Sequence, residues 1–179
     1  MADVNIRKAN LRDLNRIAEV YEEIHTEEEA GRASIGWIRG VYPTRRTAEA
    51  AIAMDDMFVM EVDGRIVASA RINREQVAEY ADAPWSVDAP ADQVMVLHTL
   101  VVSPSESGKG YATEFVRFYE TYAIEHGCPY LRMDTNAKNT AARRLYRRLG
   151  YSEAGIVISQ FNGIPDVPLV CLEKTLISF

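Results

Sequence analysis

The stretch "VMVLHTLVVSPSESGKGYATEFVRFYETYA", residues 94–123, joins three pieces whose order decides the fold. VMVLHTLVV carries apolar or β-branched side chains at both parities, the pattern of a strand buried on both faces. SPSESGKG, with Pro104, Gly108 and Gly110, breaks the strand. From Tyr111 onward, Phe115, Phe118, Tyr119 and Tyr122 recur at helical spacing, and the run stops at His126 and Gly127, a helix-end signature. PYLRMDT then reads as another strand. A strand, helix and strand in succession imply a parallel pair within the sheet.

A glycine turn at a helix start is an anion site in physical terms, because unpaired backbone N–H groups and about half a positive charge converge there. Gly108 and Gly110 let the backbone approach a ligand, and Lys109 adds a mobile cation. A triphosphate loop would need GxxxxGK followed by Ser or Thr, but Gly110 follows Lys109 and Pro104 stands where the first glycine belongs. A dinucleotide site would need a third glycine and an acidic residue about twenty positions on. The pyrophosphate of coenzyme A is the remaining candidate, beside a turn that binds nothing.

Outward from this centre the chain alternates simple signals. VNIRKA is a short strand; Leu11, Leu14, Ile17, Ala18, Tyr21 and Ile24 then mark an amphipathic helix capped by Asn10, ending in the acidic run Glu27, Glu28, Glu29. Thr44 caps a second helix. Two β-rich runs flank Asp63 and Gly64, a type I′ hairpin pair. NREQVAEYADAPWSVDAPADQ reads as a long surface excursion, and loops of that length are uncommon unless functional. NTAARRLYRRLG is a helix with Ala142, Leu145, Tyr146 and Leu149 on one stripe and four arginines mostly off it. Two last strands turn at Asn162 and Gly163. The expected order is β-α-α-β-β-β-α-β-α-β-β, a mixed α/β layer structure in one domain spanning residues 1–179.

LHTLVVSPSESGKGYA, followed by NTAARRLYRRLGY, closely resembles the two central motifs of the GNAT superfamily of acyl-CoA-dependent N-acetyltransferases. The family pattern places Arg or Gln, two variable positions, Gly, one variable position, then Gly or Ala; here these are Ser107, Gly110 and Ala112, with Ser107 the departure. The resemblance is specific over about Val94 to Tyr151. It implies a single-domain GNAT fold, mostly antiparallel, whose central parallel strands splay to admit the pantetheine arm of acetyl-CoA. Leu100, Val101 and Val102 would bond that arm, and Ser107, Gly108, Lys109, Gly110, Tyr111, Ala112 and Thr113 would wrap the pyrophosphate. Asn139 stands where the family places a cofactor-contacting asparagine, though it is equally suited to capping the next helix.

Acetylating an amine poses a protonation problem. A lysine-like amine is neutral in only about one part in a few thousand at pH 7, a handicap of roughly 4 to 5 kcal/mol. His98, two residues before Leu100, is the best-placed base in the sequence; its alternative is a histidine hydrogen-bonded within the sheet. Glu75 and Asp92 are weaker candidates. Tyr146 matches the tyrosine that the family is generally taken to use to protonate the departing thiolate; its stripe position also permits a core role, and because a phenol near 10 donates to a thiolate of about 8.5 only through local tuning, a simple hydrogen-bonding role is equally open. Trp37, Tyr42, Trp85 and Glu27 to Glu29 lie in segments that usually shape the acceptor pocket in this superfamily; the acidic run could attract a cationic amine but reads first as a solvated helix end.

The expected activity is therefore acetyl transfer to a primary amine of a small molecule or peptide by direct attack in a ternary complex. The alternative is a noncatalytic acyl-CoA-binding sensor or interaction module, which Tyr146 argues against and the departure at Ser107 argues slightly for. No metal is required, and Cys128 and Cys171 form no metal spacing. The net charge of -6 argues against nucleic acid as a partner. The polar N-terminus and the lack of any apolar run near the eighteen or so residues of a membrane span argue for a cytoplasmic protein without a membrane partner. A homodimer is left open.

Overall fold

Val94–Val102 forms the centre of the sheet, and the way its two neighbours grip it positions everything else. The computed structural model describes residues 1–176, so the last three residues of the expected domain lie outside the described part. In chain order the elements are β1 (Val4–Lys8), α1 (Leu14–Glu29), α2 (Arg45–Ala53), β2 (Met57–Val62), β3 (Arg65–Asn73), β4 (Val94–Val102), α3 (Tyr111–Glu125), β5 (Tyr130–Asn136), α4 (Thr140–Arg148), β6 (Ser152–Phe161) and β7 (Ile164–Thr175). The expected order is observed. One seven-stranded sheet runs β1-β2-β3-β4-β5-β7-β6, with β4 and β5 parallel and every other neighbouring pair antiparallel.

The two predicted hairpins form. Asp63 and Gly64 sit at φ 50 and 77, the paired left-handed conformations of a type I′ turn, and Asn162 and Gly163 repeat them at φ 49 and 92.

Three layers result. On one face, Phe115, Val116, Tyr119 and Ala123 of α3 and Tyr146 of α4 pack on Phe58, Met60, Ala70, Met95, Leu97, Leu131 and Met133. On the other, α1 and α2 bury Leu14, Ile17, Val20, Tyr21, Ala48 and Ala51 against Met57, Val59 and Val101. Each large side chain so buried contributes roughly 1.5–3 kcal/mol. Tyr119 adds a polar anchor: its hydroxyl donates to the carbonyls of Met95 at 2.6 Å and Arg132 at 3.3 Å, tying α3 to both members of the parallel pair.

Two segments differ from expectation. Asn10 caps a short 3-10 turn, Leu11–Asp13, rather than α1 itself, its Oδ1 accepting from the Arg12 amide at 2.9 Å; Leu11 is accordingly exposed. The stretch after β3 runs over the surface as expected, with most of its residues exposed, but it is anchored rather than loose. It contains 3-10 turns at Ala78–Asp82 and Ala91–Gln93 and buries Tyr80 and Ala83 against Val94, Val96 and Cys171. Arg132 holds it down, stacked 4.3 Å over the Trp85 ring and donating to Gln76 Oε1 and the Val87 carbonyl, each at 2.8 Å.

Candidate active site

The parallel strands part partway along their length. Val94 through Leu97 pair with Tyr130 through Met133, and there the ladder between β4 and β5 ends. Beyond it, β4 stays bonded to β3 as far as Val102, and β5 stays bonded to β7 as far as Asn136. The gap is held open from both sides. A strand edge exposed this way can take an extended ligand as an added strand.

A bulge lies at the parting point. Arg71 pairs with His98 and Ser69 with Val101, so Thr99 and Leu100 together face Ala70, and Thr99 adopts φ 52. An extra residue reverses strand parity. Met95 and Leu97 face α3, yet Val101 packs under α1 and α2 while Leu100 and Val102 take the α3 side. The Thr99 hydroxyl is hydrogen-bonded to the Tyr42 hydroxyl, which secures the bulge from the loop before α2.

A cavity of about 460 Å³ opens at this point. Its wall includes His98, Leu100, Asp134, Asn139 and Tyr146 around the parting strands, together with Trp37, Tyr42, Arg71, Glu75 and Phe161. Tyr42 makes edge-to-face contacts with Trp37 and Phe161, at 6.0 and 5.3 Å between ring centroids, so these three lining residues form one aromatic cluster.

Residues 107–113 follow β4 and do not line this cavity. Gly110, at φ 84, is the N-cap of α3 and offers no capping side chain. Gly108 is also left-handed, at φ 78. The amides of residues 108–113 have no acceptor among the described residues, which leaves a fan of unpaired donors at the start of a fifteen-residue helix. A Cβ at Gly108 or Gly110 would meet nothing within 4 Å, so the loop is open to a ligand. These features fit a pyrophosphate. Ser107 is exposed, and Lys109 is paired to Glu106 Oε2 at 2.6 Å, which raises its pKa and lowers that of Glu106.

The remaining predicted residues divide clearly. Asn139 caps α4, its Oδ1 accepting from the Ala142 amide at 3.2 Å, and also lines the cavity. Val101 and Val102 lie on the pairing segment of β4 rather than in the cavity wall. Tyr146 is buried, and burial, followed by the nearby Asp134 carboxylate, pushes its phenol well above the ordinary value. His98 Nε2 lies 2.8 Å from Asn73 Oδ1; burial, then the Arg71 charge, lowers the imidazole to about 4, so it is neutral near pH 7.

Other expectations are corrected. Asp92 lies in a 3-10 turn outside the cavity. Trp85 is covered by Arg132 away from the site. Glu27 pairs with Arg32 and Glu29 with Arg39, while Glu28 accepts from the amides of Ile35 and Gly36. The acidic run shapes the following loop and does not line the cavity.

Asp134 was not anticipated. It stands one residue past the last position at which β5 pairs with β4, lines the cavity, and accepts from the Tyr80 hydroxyl at 2.6 Å. Burial raises its pKa from 3.8 to about 6; the Tyr80 bond opposes the rise. In PYLRMDT it has no local signature, because its partner lies 54 positions away.

Comparison with known proteins agrees with this arrangement. A family model described as the acetyltransferase (GNAT) family matches residues 15–151. An uncharacterized N-acetyltransferase of Methanocaldococcus jannaschii is 26% identical over 103 residues, covering 58% of this chain and 42% of that protein. The chain thus matches less than half the length of this curated relative. A GNAT-family acetyltransferase from Streptococcus agalactiae superposes with a TM-score of 0.82 at 23% identity, covering 98% of this chain and 96% of that one. The structure of yncA from Salmonella typhimurium, solved with its cofactor acetyl-CoA, gives a TM-score of 0.69 at 18% identity, covering 99% and 96%. At these identities the structural likeness establishes the fold, and with the family match over most of its length the chain belongs to the GNAT acetyltransferase family.

Proposed function

We propose that this protein transfers an acetyl group from acetyl-CoA to a primary amine of a small molecule or peptide by direct attack in a ternary complex. The observation that carries the reading is the succession along one stretch of chain of three features: a cavity at His98 to Leu100 lined by ionisable side chains, the open β4 edge, and the unpaired amides of residues 108–113. Acetyl-CoA, when bound, supplies an activated acyl group and a thiol leaving group.

The α3 N-terminus would hold the pyrophosphate, with Ser107 through Thr113 around it and Lys109 exchanging Glu106 for phosphate. Leu100, Val101 and Val102 would bond the pantetheine arm along the parted edge, and Asn139 would contact it from the start of α4. The bulge at Thr99 gives the backbone N–H groups of Leu100 and Val101 an orientation that regular β geometry would not, suiting one of them to donate to the acyl oxygen.

Asp134 is the better general base. A carboxylate near 6 is mostly ionised at neutral pH and still basic enough to take a proton from an ammonium, whereas a histidine near 4 is a weak base. His98 is instead a neutral hydrogen-bonding group. Tyr146, raised by burial, stays protonated at neutral pH, so its hydroxyl can donate a hydrogen bond to the leaving sulfur; the upward shift works against full proton transfer to a thiolate of ordinary pKa near 8.5. The wall carries Glu75 and Asp134 against Arg71, and Arg71 is already engaged by Asp56 and Glu75. That balance favours a cationic amine attached to an apolar or aromatic body.

The test is calorimetric titration with acetyl-CoA, in parallel with Gly110→Glu. Micromolar binding that the substitution removes supports the site assignment; equal affinity of the two proteins overturns it.

A further inference from the structure

At the end of β3, Asn73 has each amide atom fixed by a partner that can play only one role. The Glu75 amide can only donate, and it lies 2.9 Å from Oδ1. Asp56 Oδ2 lies 2.7 Å from Nδ2, and Asp56 is itself held by Arg71 Nε at 3.1 Å to both oxygens. The side-chain oxygen of Asn73 therefore faces His98. An imidazole nitrogen 2.8 Å from an oxygen that only accepts must carry hydrogen. Nε2 is that nitrogen, which leaves Nδ1 as the bare lone pair.

His98 lines the cavity, and Nδ1 has no hydrogen-bond donor facing it among the described residues. Resting on the amine-acceptor reading above, we propose that Asp56 and Asn73 form a positioning chain that locks His98 in its Nε2–H tautomer, so that Nδ1 accepts a hydrogen bond from the acceptor amine. The amine is then held by a neutral acceptor while Asp134, on the opposite strand of the gap, removes the proton. This separates holding from deprotonation. A neutral imidazole stabilises the unreactive ammonium less than a further carboxylate in the same place would, and Glu75, the other carboxylate in the wall, is paired with Arg71.

The charged and titratable groups around His98 are Arg71, Asp56 and Glu75 on the β2 and β3 side, with Asp134 and Tyr146 across the cavity. Arg71 disfavours the imidazolium, while Asp56, with Asn73 interposed, and the Glu75 backbone favour it. Exchanging the amide and carboxylate tests the chain directly. The double variant Asp56→Asn with Asn73→Asp keeps the atom count and net charge but places a carboxylate against Nε2–H.

Long-range nitrogen–proton NMR on the uniformly labelled protein, with His98→Gln to assign the signals, reads both predictions. The wild-type ring is expected to be the neutral Nε2–H tautomer from pH 5.5 to 8, and the double variant to raise its titration midpoint by about 1 to 3 pH units. Asn73→Leu, should the double variant not fold, is expected to raise KM for the best substrate in a panel of primary amines with little change in acetyl-CoA affinity. An Nδ1–H ring in the wild type, or an unmoved midpoint in a folded double variant, overturns the chain. The NMR result stands without turnover, so failure of this inference is distinguishable from failure of the acetyltransferase reading.

Discussion

The Tyr80 hydroxyl donates to Asp134 Oδ2 at 2.6 Å, joining the middle of the β3–β4 excursion to the strand that parts from β4. The bond stabilises the carboxylate, while burial favours its protonated form, and burial wins, giving about 6. Tyr80→Phe removes only the stabilising partner. The acidic limb of the pH–rate profile is expected near pH 6 in the wild type and at higher pH in Tyr80→Phe, as followed by initial rates with one amine from pH 5 to 9.

Asp134→Asn separates catalysis from stability. Turnover at pH 7.5 is expected to fall by about 10²–10⁴-fold, the usual contribution of a general base. Stability changes in the opposite sense. A carboxyl raised from 3.8 to about 6 on folding contributes stability that is fully present below the lower value and lost as pH rises through the upper one. The variant escapes that loss, so urea unfolding at pH 8 is expected to show it more stable by about 1 to 3 kcal/mol, a range lowered by the carboxylate's access to cavity water.

Tyr146→Phe keeps the packing against Tyr151 and the α4 stripe but removes the hydroxyl. Its thermal midpoint is expected to stay within a few degrees of wild type. Turnover is expected to drop at least tenfold with acetyl-CoA affinity nearly unchanged, by steady-state kinetics and calorimetry together. A wild-type rate would remove Tyr146 from the chemistry.

The glycine loop makes a two-part prediction. Gly110 has open space where a methyl group would stand but sits at φ 84, so Gly110→Ala is expected to be destabilised by about 1–2 kcal/mol through backbone strain alone. Glu106→Gln releases Lys109 from its present partner and is expected to tighten acetyl-CoA binding a few-fold at low salt, an advantage that shrinks as salt is added.

Much of this architecture is written locally in the chain. The hairpin residues Asp63, Gly64, Asn162 and Gly163, the stripe of α3 and the glycines before it each act over a few positions, where period and turn chemistry are readable. The bulge at Thr99 is not. VMVLHTLVV is apolar at both parities, so the reversal between Leu97 and Val101 leaves no break in the pattern. The same limit hides the site's polar wiring: Asp134 depends on Tyr80, and His98 on Asn73, across separations of 54 and 25 residues. Trp85 misleads for the converse reason, since an aromatic residue in a pocket-forming segment looks alike whether it meets a ligand or its own neighbours, whereas Glu27 to Glu29 follow their reading as a helix end.

Release of free thiol from acetyl-CoA, followed continuously with a panel of primary amines from amino acid derivatives to aromatic monoamines, tests the central claim most directly. Amine-dependent release by the wild type, carried to an acetylated product by mass and strongly reduced in Asp134→Asn, is the predicted result. Tight binding of acetyl-CoA with no release above background for any amine would contradict it and mark the protein as a cofactor-binding module.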